Sequence, residues 1–267
     1  MTRVVRLRSG QAVATALLAI SFVSVAQEIE IGKQANTQVR KEMPELRDDE
    51  TLSYVRGIGQ RLVPFAGGPK YPYTFAVVDY REINAFALPG GPVWIHRGII
   101  QSATNEAQLA GVVAHEIAHI SQRHAADQLT KATMANWSLG VLGAFLGNDS
   151  GAAAAKMAAG FLANGLFLQF SRDDEREADR VGLLMMTRAG WDARGMVELF
   201  EILRQEQKRD ASRVETFFST HPSPQDRITR LQQDVTKHRG GRHDSAQFRS
   251  IKARLLRMAP PKAMPRR

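Results

Sequence analysis

Within residues 105 to 127 stands the run His115-Glu116-Ile117-Ala118-His119, two histidines four apart with a glutamate beside the first, in a stretch that also carries Val112, Val113 and Ile120. The spacing predicts a helix, begun by an Asn105 cap with Gln108 three residues on, and running to about Asp127. On a helix, positions four apart share a face, so both imidazoles project the same way and can grip one ion. The apolar neighbours predict that this helix is largely buried. Two imidazoles and a carboxylate buried without partners would cost on the order of several kcal/mol. A divalent metal removes that objection, and Glu116, adjacent to the pair, can then reach a water at the metal and take its proton.

Cysteine is absent from the sequence, which excludes disulfides, thiol catalysis, a lipid-modified cysteine and cysteine-ligated zinc. A third ligand must therefore be a carboxylate or another histidine. The best candidate is Glu175, in Ser171-Arg172-Asp173-Asp174-Glu175-Arg176-Glu177-Ala178-Asp179. Glu175 and Asp179 stand four apart on one helical face, so the first can reach the metal while the second accepts the free N–H of a ligating histidine. Seven of those nine residues are charged, so the segment alone also reads as a solvated helix start; the upstream histidine pair tips the balance toward ligation.

Around this pair the chain reads as α+β, mostly α, with a small sheet inserted between helices. Residues 28 to 63 have helical spacing, in Ile31, Ala35 and Val39 and then Leu52, Val55, Ile58 and Leu62. Gly67, Gly68, Pro69 and Pro72 close that region. Strands are expected from Tyr73 to Asp79 and from Pro92 to His96, with a short apolar run, Ile83 to Leu88, before the turn Pro89-Gly90-Gly91. Residues 136 to 170 are rich in Gly, Ala, Leu and Phe and are expected to form a buried helical hairpin, neither half being a convincing membrane span. Further helices are expected from Ser171 or Asp173 to Gly190, from Asp192 through Leu203, from Pro224 through Leu231 and from Ser245 to Met258. By position, His124 falls on a different face of its helix from His119 and reads as structural.

The two ends differ from the body. Arg3, Arg6 and Arg8 precede an apolar stretch from Ala12 to Val25, and Ser24 with Ala26 makes a small-x-small site. Residues 1–26 are thus expected to be an export signal cleaved after Ala26, the apolar stretch being shorter than the roughly 20 residues a spanning anchor needs. A domain at 27–236 and a basic C-terminal extension at 237–267 complete the division. The extension holds ten Lys or Arg against Asp244 alone, which accounts for most of the net charge of +9. A nucleic-acid enzyme would put such residues around its site, so no nucleic-acid partner is expected. The extension reads as a solvated tail or as a contact with an anionic membrane surface. Export without disulfides suits a periplasmic protein with an ordinary core.

Four ordered motifs, Asn84-Ala85-Phe86-Ala87-Leu88-Pro89-Gly90-Gly91, His115-Glu116-x-x-His119, Ser171-Arg172-x-x-Glu175-x-x-Ala178-Asp179 and His221-Pro222 with Arg227, resemble the HtpX and CAAX prenyl endopeptidase family of zinc peptidases. The resemblance covers roughly residues 28 to 258 and is strongest to the exported periplasmic branch, BepA-like or LoiP-like. It implies a gluzincin-type fold with an HExxH active-site helix, one Zn2+ per chain on His115, His119 and Glu175, Glu116 as general base and Asp179 behind the ligands. It also implies that the strand Asn84, Ala85, Phe86 and Ala87 is an edge on which substrate backbone pairs; by its residues alone that strand reads as core. His221, with Arg227, is by the same analogy a catalytic group: a donor to the oxyanion, or a fourth ligand that closes the zinc at rest. The substrates implied are unfolded or misassembled cell-envelope proteins. A holdase or assembly adaptor for outer-membrane proteins, using the zinc fold as a latent scaffold, is the alternative.

Overall fold

Met43 precedes Pro44 and is forced into extended backbone (φ −105°, ψ 141°), because a proline ring clashes with a helical residue before it. The apolar repeat at 28–63 is therefore two helices, not one: α1 (Val25–Glu42) and α2 (Asp49–Leu62). Ser24 caps α1 in a reciprocal box with Gln27, so the expected cleavage point lies within the first turn of α1. The computed structural model describes residues 23–135, 169–222, 224–238 and 240–265. Most of the export signal and nearly all of the expected hairpin lie outside them.

A three-stranded sheet follows, formed by β1 (Thr74–Val78), β2 (Ala85–Ala87) and β3 (Pro92–His96) in the order β1-β3-β2. β1 runs parallel to β3 with Phe75 opposite Val93, and β2 runs antiparallel with Phe86 opposite Trp94. β3 is buried along its whole length, as a central strand covered on both faces must be. One face meets α1 through Ala76, Val78, Phe86 and Trp94; the other, through Phe75, Val77 and Ile95, joins the main core.

After a short helix that the sequence pattern did not announce, α3 (Arg97–Ser102), the chain enters α4 (Glu106–Ser121), every residue of which is buried. Asn105 caps it by accepting from the Gln108 N–H at 3.0 Å. α5 (His124–Ala135) follows, then α6 (Arg172–Arg188) and α7 (Arg194–Arg209), both of which pack on α4. Gly182 allows the α6 approach, since a Cβ there would meet the His115 backbone nitrogen at 3.2 Å. α8 (Glu215–Thr220) and α9 (Pro224–Val235) carry the chain around His221.

The basic C-terminal segment is built into this framework rather than trailing from it. α10 (Ala246–Arg257) buries Phe248, Ile251 and Leu255 in the main core. The buried Arg97 donates to Asp79 at 3.0 Å and to the Ala259 carbonyl at 2.9 Å. Arg254 grips Asp48, the α2 cap, from Nε and Nη2 at 2.7–3.0 Å. Apolar spacing within the segment outweighs its charge in deciding where it goes. Among the described residues no helix is long and apolar enough to cross a membrane.

Candidate metal centre

α4 sets two imidazoles one above the other, and the Nε2 atoms of His115 and His119 come within 2.9 Å of each other. α6 brings Glu175 against them, Oε1 lying 3.4 Å from His119 Nε2 and Oε2 3.6 Å from His115 Nε2. His221, at the end of α8, turns Nδ1 into the same space, 2.9 Å from Glu175 Oε1 and 3.4 Å from His115 Nε2. One ligand atom from each of these four buried residues lies within 4.8 Å of every other.

The chemistry of this donor set fits a cation. Asp179 Oδ1 sits 3.1 Å from His115 Nδ1; a carboxylate only accepts, so the His115 proton is held there and the Nε2 lone pair faces inward. Burial, reinforced by the neighbouring His115, pushes His119 well below the usual imidazole range and keeps it neutral. Burial alone would raise the Glu175 carboxyl, but Arg227 and His221 beside it hold it well below the usual carboxylate range. Inward-facing imidazole lone pairs and an ionised carboxylate, converging on one point, are the donor chemistry a divalent cation takes.

Two charged residues complete the surroundings. Arg227, on α9, pairs with both Glu175 and Asp179 and lies over the Phe200 ring at 4.2 Å. Its Nη2 also lies 3.4 Å from both ring nitrogens of His115, so the guanidinium packs directly against the donor group. Glu116 is fully buried beside the cluster; neither of its oxygens has a hydrogen-bond partner among the described residues, and the nearest ionic neighbour is His221 Nε2 at 3.7 Å. Burial pushes its carboxyl up, the direction that makes a carboxylate a better proton acceptor near neutrality.

β2 lies across from this cluster. The His96 N–H bonds the Asn84 carbonyl and the Leu88 N–H bonds the Pro92 carbonyl, so Asn84, Phe86 and Leu88 direct their backbone groups toward β3. By alternation those of Ala85 and Ala87 point to the outer edge. The Ile83 N–H, on that same side, is taken by the Arg213 carbonyl. Asn84, Ala85 and Phe86 are buried and Ala87 is half-buried.

His124 is where the sequence reading and the structure part. A continuous helix to Asp127 would carry the fifth residue after His119 about 140° around the axis. Instead α4 stops at Ser121, Arg123 takes a left-handed φ of 64°, and the chain restarts as α5. That turn swings the buried His124 back until its Nδ1 is 2.9 Å from His119 Nδ1. Phe170 then stacks on His119 at 3.9 Å between ring centroids. Nothing in the sequence marked the break, because a left-handed arginine leaves no glycine to announce it.

Residues 50–235 match the family model described as "Peptidase family M48". The chain is 34% identical over 247 residues to the "Beta-barrel assembly-enhancing protease" of Escherichia coli (strain K12), covering 89% of this chain and 50% of that protein. Its counterpart of the same name in Yersinia pestis is 33% identical over 213 residues, 78% of this chain and 43% of that protein. The "Mitochondrial metalloendopeptidase OMA1" of Schizosaccharomyces pombe is 31% identical over 183 residues, covering 68% of this chain and 52% of that protein. The chain thus spans about half the length of these curated relatives. With the family model matched from α2 to the end of α9, and the donor cluster assembled inside the matched region, this chain belongs to peptidase family M48.

Proposed function

We propose that the chain is a zinc-dependent endopeptidase that hydrolyses peptide bonds in unfolded or misassembled cell-envelope proteins, and that within M48 it belongs with the exported, periplasmic branch. The observation that carries this reading is a closed group of four donor atoms with a buried carboxylate beside it, Glu116, that has no hydrogen-bond partner among the described residues. His115, His119 and Glu175 would hold the ion, a histidine and carboxylate set that suits zinc. When bound, zinc polarises the scissile carbonyl and lowers the pKa of water toward neutrality. Glu116 takes the proton of the attacking water and returns it to the leaving amine. Asp179 fixes the His115 tautomer, and Arg227 neutralises Glu175 and orients Asp179, which makes it a positioning residue. The outer edge of β2 from Asn84 to Ala87 would receive the substrate backbone.

His221 faces the cluster through Nδ1 and Glu116 through Nε2, an arrangement that supports the resting fourth-ligand role; the oxyanion-donor role requires it to withdraw first. The test is metal content measured with turnover of unfolded casein, for the wild type and Glu116→Gln. Stoichiometric zinc with cleavage that the substitution abolishes is the expected result; cleavage undiminished in the variant would refute the assignment.

A second reading, a latent scaffold that holds clients without cutting them, draws on the closure of the site: Phe170 stacked on His119, with the donor residues and Glu116 all buried. It predicts client binding that survives Glu116→Gln together with negligible turnover by the wild type. Contact with an anionic membrane surface through the basic segment is a further part of the proposal, supported by Leu256, 64% exposed on α10 beside the exposed Arg257. Binding to vesicles containing anionic lipid that is lost when Arg249 and Arg257 are replaced by Glu would support it.

A further inference from the structure

We propose that His124 is a positioning residue for His119, holding that ligand's tautomer with a neutral imidazole where His115 is held by a carboxylate. The inference rests on the reading that the cluster binds a metal. For His119 to present Nε2 inward, its proton must sit on Nδ1, and a buried N–H needs an acceptor. Among the described residues, the partner within reach is His124 Nδ1 at 2.9 Å. His124 then carries its own proton on Nε2, the atom that faces Glu177 Oε2 at 3.5 Å.

The local backbone is arranged to deliver this contact. The left-handed turn at Arg123 is unfavourable for a residue with a Cβ, and the Arg123 side chain holds it by donating from Nε to the buried Glu28 at 2.7 Å and from Nη2 to the Val23 carbonyl. Phe170 closes the other side of the His119 ring. A neutral partner also suits the charge balance. Glu116, Glu175 and Asp179 already crowd three carboxyl groups around one guanidinium. A fourth buried carboxylate behind His119 would add desolvation cost without a new cation to offset it. Glu177 is 46% exposed, so water screens its charge while it still biases the His124 tautomer.

The experiment measures zinc affinity by competition with a chromophoric chelator on folded, metal-free protein. His124→Ala should bind zinc about 10- to 100-fold more weakly than the wild type. His124→Gln, whose amide oxygen can accept from the His119 Nδ1–H, should recover most of that loss. Unchanged affinity in His124→Ala, or His124→Gln no better than His124→Ala, overturns the inference. Ring 15N shifts of the zinc-loaded wild type test it without any substitution: His124 should be protonated at Nε2, and a proton on its Nδ1 overturns it. A wild type that binds no zinc would instead sink the metal reading itself, while a variant that binds as tightly as a zinc-loaded wild type sinks only the role of His124.

Discussion

Arg227 grips both oxygens of Asp179, with Nε 2.8 Å from Oδ2 and Nη2 2.6 Å from Oδ1, directly behind the His115 ring. All of these groups are buried, and burial opposes every charge among them. Burial lowers the Arg227 guanidinium, but Asp179 and Glu175 outweigh it and raise it overall; Asp179, which burial would raise, is lowered by Arg227. Removing one member of such a set is far worse than never having built it.

Arg227→Ala should therefore destabilise the fold by about 3–5 kcal/mol, since it strands two buried carboxylates. Arg227→Lys should recover little, because an ammonium cannot make the two parallel contacts. Urea unfolding of the metal-free variants checks both. Metal-free stability equal to wild type in Arg227→Ala would show that the pair does no structural work.

Glu116→Gln should lower turnover by about 10²- to 10⁴-fold, the range for losing a general base, with metal content unchanged. The same substitution removes a carboxylate whose charged form burial disfavours, so Tm should hold or rise. Casein turnover, metal analysis and thermal melting on one preparation separate the two effects.

Much of this site was legible because its chemistry is local. The i, i+4 spacings of His115 with His119 and of Glu175 with Asp179 fix which side chains share a face whatever the tertiary structure; the two imidazoles meet through Nε2, and both carboxylates face them. The strand at Pro92–His96 was legible from its β-branched and aromatic run. What the pattern hid depended on backbone breaks or on distant partners. The swing of His124 follows from one left-handed residue, Arg123. The end of α1 at Glu42 follows from Pro44, a breaker lost in the wider helical pattern. The docking of α10 was hidden because charge dominates its composition, whereas Phe248, Ile251 and Leu255, at spacings of three and four, decide its placement.

Chelation should lower Tm as well as activity. A ligand at a thousandfold its Kd stabilises the folded state by about 4 kcal/mol, which for a chain of this size corresponds to roughly 8–16 °C. Readdition of zinc should restore both together. A Tm insensitive to chelator, with zinc shown to have left, would mean that the four donors do not gain stability from an ion.

Asp48 ties the C-terminal helix to the start of α2, and its charge should appear on the acid side of the stability curve. The bond from Arg254 depresses its carboxyl to about 2, below the unfolded value of about 3.9. A depressed carboxylate contributes stability that is complete above the unfolded pKa and is lost as pH falls through the folded one. The window is thus from about pH 4 down to about pH 2. Asp48→Asn keeps a capping side chain for Thr51 but loses the ion pair, so it should be less stable than wild type at neutral pH and converge with it toward pH 2. A constant difference across that range would assign the effect to the cap alone.

The edge of β2 offers a test of substrate binding that leaves the metal site intact. Ala87 directs its N–H away from β3 and is the residue of that strand least covered. Proline is tolerated on an edge strand where the missing N–H faces outward, and Phe86 before it is already extended, as a pre-proline residue must be. Ala87→Pro should therefore fold and bind zinc like the wild type while losing one backbone bond to an extended peptide. A net hydrogen bond contributes about 0.5–1.5 kcal/mol, so kcat/KM should fall roughly 2- to 12-fold. If substrate pairs here, the loss will be larger for extended unfolded chains than for short peptides that end before this position; equal losses for both would place the substrate elsewhere.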